Sequence, residues 1–231
     1  MTLRILSGGA ANGLVSALSD RVLADTGHKV KGDFGAVGVM RDRFLGGEAV
    51  DALILTRAII DDLVASGHVD PNSVRDIGKV ATGIAVLEGR SAPALATPDD
   101  LGTTLTAADT LYVPDTTKST AGAHVASMLS GLGLAEMMAP RLREFPNGQT
   151  AMAAMVKADE ARSLGCTQIT EIINTPGVEY AGDLPEPYGL TTTYTAALPT
   201  GAGNAAAAER LVQILTSENV AQIRSMVGFA P

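Results

Sequence analysis

The sequence contains no tryptophan, and aromatic residues make up only 3% of its 231 positions. Leu, Ile, Val, Ala and Met must therefore fill the interior of a chain that is 46% hydrophobic. The single cysteine, Cys166, excludes an intrachain disulfide and any metal site built on paired cysteines. Alone in an apolar stretch, it reads as a small buried hydrophobe. The three histidines, at 28, 68 and 124, lie too far apart for a zinc motif. Positive charge is also scarce, with 17 Lys and Arg against 25 Asp and Glu, a net charge of −8. No basic run exceeds two residues. A nucleic-acid partner needs a concentrated basic face, and so does an anionic membrane surface, so neither is expected. No apolar run reaches the ~18 residues of a membrane span, so no membrane insertion is expected. Phosphate-loop and dinucleotide fingerprints are missing, and no Ser-His-Asp order stands out. No cofactor and no bound metal are therefore expected. The start, Met1-Thr2-Leu3-Arg4-Ile5-Leu6, reads as a strand rather than a secretory leader. The expected location is cytoplasmic as the sequence stands, and periplasmic if a leader has been removed.

What is present is an alternation of strand, small-residue loop and helix. Leu3–Leu6 reads as a strand and Ser7–Ala11 as a loop. Leu14, Val15, Leu18, Val22 and Leu23 recur at helical spacing before Gly27. Lys29–Gly32 reads as a strand, Phe34–Gly38 as a second Gly-rich loop and Met40–Leu45 as a short helix. Val50–Thr56 is a near-continuous apolar run of the kind that forms buried parallel strands, and Ile59–Val64 reads as a helix ended by Gly67. Further along, Thr82–Leu87, Leu111–Val113 and Thr191–Ala197 read as strands. Thr97 with Pro98 marks a helix start. Ala121–Leu132, Gly148–Ala158 and Asn204–Thr216 read as helices, and Ser217 caps one more. This alternation argues for an α/β fold with parallel-type sheets covered by helices. No internal repeat or linker is evident.

Four blocks carry a resemblance. They are Leu3–Leu18, Phe44–Thr56, Gly165–Ile173 with Pro176–Glu179 and Gly182–Pro185, and Ser217–Pro231. In this order they resemble the molybdate-binding-like solute receptors, including their aconitate-isomerase-like branch. The resemblance implies a type II periplasmic-binding-protein fold. One lobe would hold residues 1–81 plus 191–231 and the other 82–190, with a ligand cleft between them. Crossing segments near Thr82–Val86 and Thr191–Tyr194 would serve as the hinge. It also implies a small anionic ligand and, for an exported protein, an ABC-transporter membrane component as partner. The chain departs from the molybdate pattern in its second loop, where Ala36-Val37-Gly38 stands in place of a hydroxyl residue. The Tyr that completes the oxyanion cage in the family has no counterpart around Cys166–Ile169. Both departures turn the expectation from molybdate toward a carboxylate.

The residues that can carry this chemistry lie at strand-to-helix junctions. Ser7, Gly8, Gly9 and Ala10 form one such junction, where backbone N–H groups and a helix N-terminus can face an anion; the same residues also suit a plain turn. Ala36 and Val37 hold the equivalent place in the second loop. Lys118, Ser119, Thr120 and Gly122 form a third, either as ligand donors or as a helix cap with a solvated Lys. Arg57 follows a buried strand and could grip a carboxylate, or pair with Asp61 one helical turn on. Thr167 and Gln168 interrupt an apolar block as candidate donors. Glu171 is a candidate base if buried, or else a helix N-terminal acid favoured by the dipole. His124, on the helix after Lys118, is the other candidate base, or a packed helical histidine. Two functional expectations follow. One is a solute-binding-protein-like binder of a small oxyanion or di- or tricarboxylate. The alternative is a cofactor-free isomerase of a small unsaturated polycarboxylate, in which Glu171 or His124 moves an allylic proton.

Overall fold

A computed structural model describes all 231 residues. In chain order the elements begin with β1 (Thr2–Gly8), α1 (Asn12–Thr26), β2 (Lys29–Gly35), α2 (Val37–Leu45), β3 (Ala52–Thr56) and α3 (Arg57–Ala65). β4 (Arg75–Leu87), α4 (Pro98–Ala107), β5 (Thr110–Pro114), α5 (Thr120–Gly131), α6 (Ala135–Met138), β6 (Leu142–Phe145) and α7 (Gly148–Ala158) follow. The chain ends with β7 (Ser163–Gln168), α8 (Ile169–Ile173), β8 (Val178–Asp183), β9 (Thr191–Ala197), α9 (Ala205–Thr216) and α10 (Ala221–Met226). It divides into two compact units, Met1–Val80 with Thr192–Pro231, and Ala81–Thr191. β4 carries the chain from the first into the second, and the boundary at Thr191–Thr192 falls at the start of β9. No helix is long and apolar enough to cross a membrane.

The first unit has the strand order β2-β1-β3-β9. β1 runs parallel to β2 and β3, and β9 runs antiparallel to β3. All five residues of β3 are buried, as a strand covered on both faces requires. Leu3, Ile5 and Leu6 of β1, Leu14 and Leu18 of α1, Ile60 and Leu63 of α3 and Leu211 of α9 are all buried, so the interior is mainly aliphatic. Each such side chain removed from water contributes roughly 1.5–3 kcal/mol. α1 stops where Gly27 takes a left-handed φ of 70° and its N–H caps the Leu23 carbonyl. A Cβ there would be strained.

The second unit has the order β8-β4-β7-β5-β6. β5 is parallel to β6 and β7, while β4 is antiparallel to β7 and β8. Alternation along the strands sorts its side chains into two cores. Ile84, Val86, Leu111 and Val113 face one side with Leu101, Val125 and Met128. Ala85, Leu87 and Tyr112 face the other with Met152, Met155 and Ile172. Cys166 lies in the first core, fully buried, and burial pushes its thiol up to about 12. This is the environment of an inert packing residue.

Several elements run longer than the sequence suggests. β2 extends to Gly35, because it pairs with β1 along its whole length, and only Ala36 remains between it and α2. β4 begins at Arg75, seven residues before the apolar run at Thr82. β6, β7 and β8 have no counterpart in the periodicity.

Candidate functional site

In the first unit the three parallel strands end together. Register pairs Gly8 with Gly35 and Ser7 with Ile54, so the turns after β1, β2 and β3 share one sheet edge. A helical turn starts at each. Gly9–Ala11 forms a 3₁₀ turn that leads into α1, α2 starts at Val37, and α3 starts at Arg57. None of their cap residues, Gly8, Ala11, Ala36 and Thr56, makes a side-chain cap hydrogen bond. Gly and Ala have no side chain able to do so. The leading N–H groups of a helix have no carbonyl of their own helix to meet. In α2 the first backbone bond runs from the Met40 N–H to the Ala36 carbonyl, which leaves those of Val37, Gly38 and Val39. This edge therefore collects donors and the positive ends of helix dipoles.

The predicted residues of this edge take specific places. Ser7 is fully buried and its hydroxyl donates to the Gly8 carbonyl at 2.9 Å. Gly8, Gly9, Ala10, Ala36 and Val37 are buried along the edge. Arg57 stands beyond it on α3, about half exposed. Its Nε donates to Asp61 at 2.8 Å and its Nη1 reaches Asp76 at 3.2 Å. These carboxylates raise its pKa, with the hydrogen bond to Asp61 the largest cause. Its charge is thus shared between two partners of the chain itself. Tyr194, given no binding role by the sequence, borders the same edge. It pairs in register with Thr56 and is nearly fully buried. Its ring lies so close to Gly8 that a Cβ there would stand 2.8 Å from the Tyr194 Cε1 and from the Val37 Cγ1. A single Tyr amid threonines in the middle of β9 gave only a weak signal of this.

In the second unit the turns after β5, β6 and β7 likewise share an edge. The turn after β5 is organised by Asp115, whose Oδ1 accepts the N–H groups of Thr117 and Lys118, each at 2.8 Å. The Lys118 and Thr117 N–H groups hold this carboxyl below its usual range. The Ser119 N–H donates to the Asp115 carbonyl, and the Ser119 Oγ accepts the Gly122 N–H at 3.3 Å. Gly122 packs against the carbonyls of Pro114 and Asp115 where no Cβ fits. Of the α5 donors, Thr120 and Ala121 keep theirs, while that of Gly122 is already used.

Thr167, Gln168 and Glu171 lie where β7 passes into α8, and all three are buried. Thr167 donates to Glu171 Oε2 at 2.6 Å, and the Gln168 Nε2 donates to Thr82 Oγ1 at 3.3 Å. Glu171 Oε1 accepts the Gly148 N–H at 3.1 Å. Burial pushes the Glu171 carboxyl above its usual range, opposed by hydrogen bonds from Thr167 and from the backbone of Gly148, Gln149 and Gln168. The neighbouring Thr170 is also buried, and its Oγ1 has no hydrogen-bond partner in the structure. His124 is half-buried on α5 with Nε2 2.7 Å from the Tyr188 carbonyl, so the ring carries its proton there. It ties α5 to the Tyr188 segment. No group of His, Cys, Asp and Glu is arranged to hold a metal.

The family pattern of bacterial extracellular solute-binding proteins matches residues 3–230. An aconitate isomerase from Pseudomonas sp is 28% identical over 238 residues, covering 100% of this chain and 88% of that protein. The Azotobacter vinelandii periplasmic molybdate-binding protein superposes with a TM-score of 0.79 at 17% identity, covering 99% of each chain. The sulfate-binding protein SubI from Mycobacterium tuberculosis gives a TM-score of 0.76 at 16% identity, over 100% of this chain and 87% of that one. These two structures share its fold, which is that of the periplasmic binding proteins. The chain belongs to the bacterial extracellular solute-binding protein family.

Proposed function

We propose that this protein binds a small organic anion carrying one or more carboxylates. The observation that supports this most is the row of turns after β1, β2 and β3, where no side chain caps the helix starts at Gly9, Val37 and Arg57. A helix start without a cap needs another acceptor, and an anion supplies one. With a net charge of −8, affinity must come from groups that touch the ligand rather than from long-range attraction. In the first unit those groups are the N–H donors of Gly9–Ala11 and Val37–Val39; the second unit, taken by itself, offers those of Thr120 and Ala121. The Thr170 hydroxyl adds unused donor capacity in the second unit. Ser7 is turned to a backbone carbonyl and Val37 has no donor in its side chain, so backbone groups dominate. Such a set suits a carboxylate at least as well as a tetrahedral oxyanion. For an exported chain, the membrane component of an ABC transporter is the partner this reading implies.

A second reading rests on the 28% identity, across the whole chain, to an aconitate isomerase. On that reading a bound aconitate would exchange an allylic proton. Neither base candidate supports it as it stands: Glu171 is engaged by Thr167 and Gly148, and His124 by Tyr188. Proton NMR of cis-aconitate incubated with the protein in deuterated buffer separates the readings. Binding without exchange or isomerisation supports a binder, and conversion to the trans isomer supports the enzyme.

A further inference from the structure

Helix α7 starts at the same edge as α5 and, taken alone, offers the same donors. Its first turn is nevertheless closed. The Gly148 N–H donates to Glu171 Oε1 at 3.1 Å, and that of Gln149 also bonds the Glu171 carboxyl. The Thr150 N–H donates to the side chain of Asn147 at 2.8 Å, and that of Ala151 begins the helix ladder at the Asn147 carbonyl. Every leading donor of α7 therefore has a partner. The same carboxyl accepts the Gln168 N–H at the start of α8, three residues before it, which is one half of a capping box. It also accepts the Thr167 hydroxyl at 2.6 Å. Burial raises the pKa of this carboxyl, but backbone N–H groups can only donate, so these partners favour its ionised form. Gly148 fits the arrangement, because a Cβ at that position would collide with Thr167 Oγ1 and Glu171 Oε2.

We infer that Glu171 is a built-in anion that occupies the N-terminus of α7 and braces it to the start of α8, a positioning residue rather than a base. The consequence for ligand binding rests on the anion-binding reading above. With α7 closed by the chain's own carboxylate, the helix donors left to a ligand in the second unit are those of α5. Glu171 also fixes the backbone that presents Gln168 and Thr170.

The experiment uses the full chain with Glu171→Ala, Gly148→Ala, the double variant and Glu171→Gln, and takes formate as the probe. Thermal melting is read together with the ¹⁵N–¹H shifts of Gly148 and Gln149. Glu171→Ala is expected to melt at least about 4 °C below the parent. Millimolar formate should raise that melting temperature and move the Gly148 and Gln149 signals saturably, while chloride at equal ionic strength and formate with the parent do neither. Gly148→Ala should be costly in the parent and cost less in the Glu171→Ala background, where the clash with the carboxyl is gone and that with Thr167 Oγ1 remains. If Glu171→Ala folds only when formate is present, the inference is equally supported. It is overturned if formate leaves those two signals of Glu171→Ala unmoved, if Gly148→Ala costs the same in both backgrounds, or if Glu171→Gln keeps the parent's melting temperature and amide shifts. Titration of the parent with cis-aconitate, followed at Thr120 and Ala121, reports the ligand site separately, so each idea can fail alone.

Discussion

The ring of Tyr194 lies against Gly8, and Val37 closes the other side, so that an added methyl at Gly8 would sit 2.8 Å from both. The backbone of Gly8 is in an ordinary region, with φ −59°, so space rather than conformation demands glycine here. Gly8→Ala is expected to destabilise the protein by about 1–3 kcal/mol through overpacking. Trimming the opposing side chain in Gly8→Ala/Val37→Ala should return part of that loss. Urea unfolding measures both, and a Gly8→Ala variant as stable as the parent would show that the ring can move aside.

The first α5 donor, that of Thr120, can be removed without disturbing the helix. Proline suits the first helical position, where its missing N–H bonds no helix carbonyl. Ser119 already has the extended backbone that a following proline requires, φ −96° and ψ 138°. Thr120→Pro should thus keep the parent's melting temperature and weaken anion binding about tenfold or more, the loss of one charge-assisted hydrogen bond. Equal affinity in parent and variant would remove Thr120 from the site.

Arg57 was a natural candidate for a carboxylate clamp, and its geometry in the structure leads to a different expectation. Its guanidinium is about half exposed and spans Asp61 and Asp76. Exposed pairs of this kind contribute little. Arg57→Ala should leave stability nearly unchanged and change anion affinity less than threefold. A tenfold loss of affinity in calorimetry would show that the ligand draws Arg57 away from its aspartates.

Cys166 is sealed in the core of the second unit and its thiol is held up near 12 by burial. The native protein should therefore react with a thiol reagent at pH 8 only at the rate at which it opens, and rapidly in denaturant. Fast labelling of the native state would contradict the packing around this residue.

Much of the architecture is legible in the sequence because local signals and tertiary demands agree. Thr191–Ala197 is rich in β-branched residues and forms β9 over those residues. Gly148–Ala158 follows an Asn cap and forms α7 over the stated span. Where the two disagree, the sequence misleads. Ser163–Gln168 has no alternation and few β-formers, yet becomes a fully buried strand because β4 and β5 pair with it on either side. Phe34 and Gly35 look like loop, but their pairing with β1 extends β2 through them. The junctions that hold the candidate donors were visible as small residues after apolar runs. How those donors are used was not, because the partners are remote in sequence. Asp76 is 19 residues from Arg57, and Gly148 is 23 from Glu171.

Isothermal titration at neutral pH and fixed ionic strength, with cis-aconitate, citrate, sulfate, molybdate and a neutral sugar in turn, tests the central claim most directly. The account expects one saturable site for a di- or tricarboxylate, weaker heat with molybdate and none with the sugar. Tight binding of the neutral sugar, or no heat with any of the anions, would contradict it.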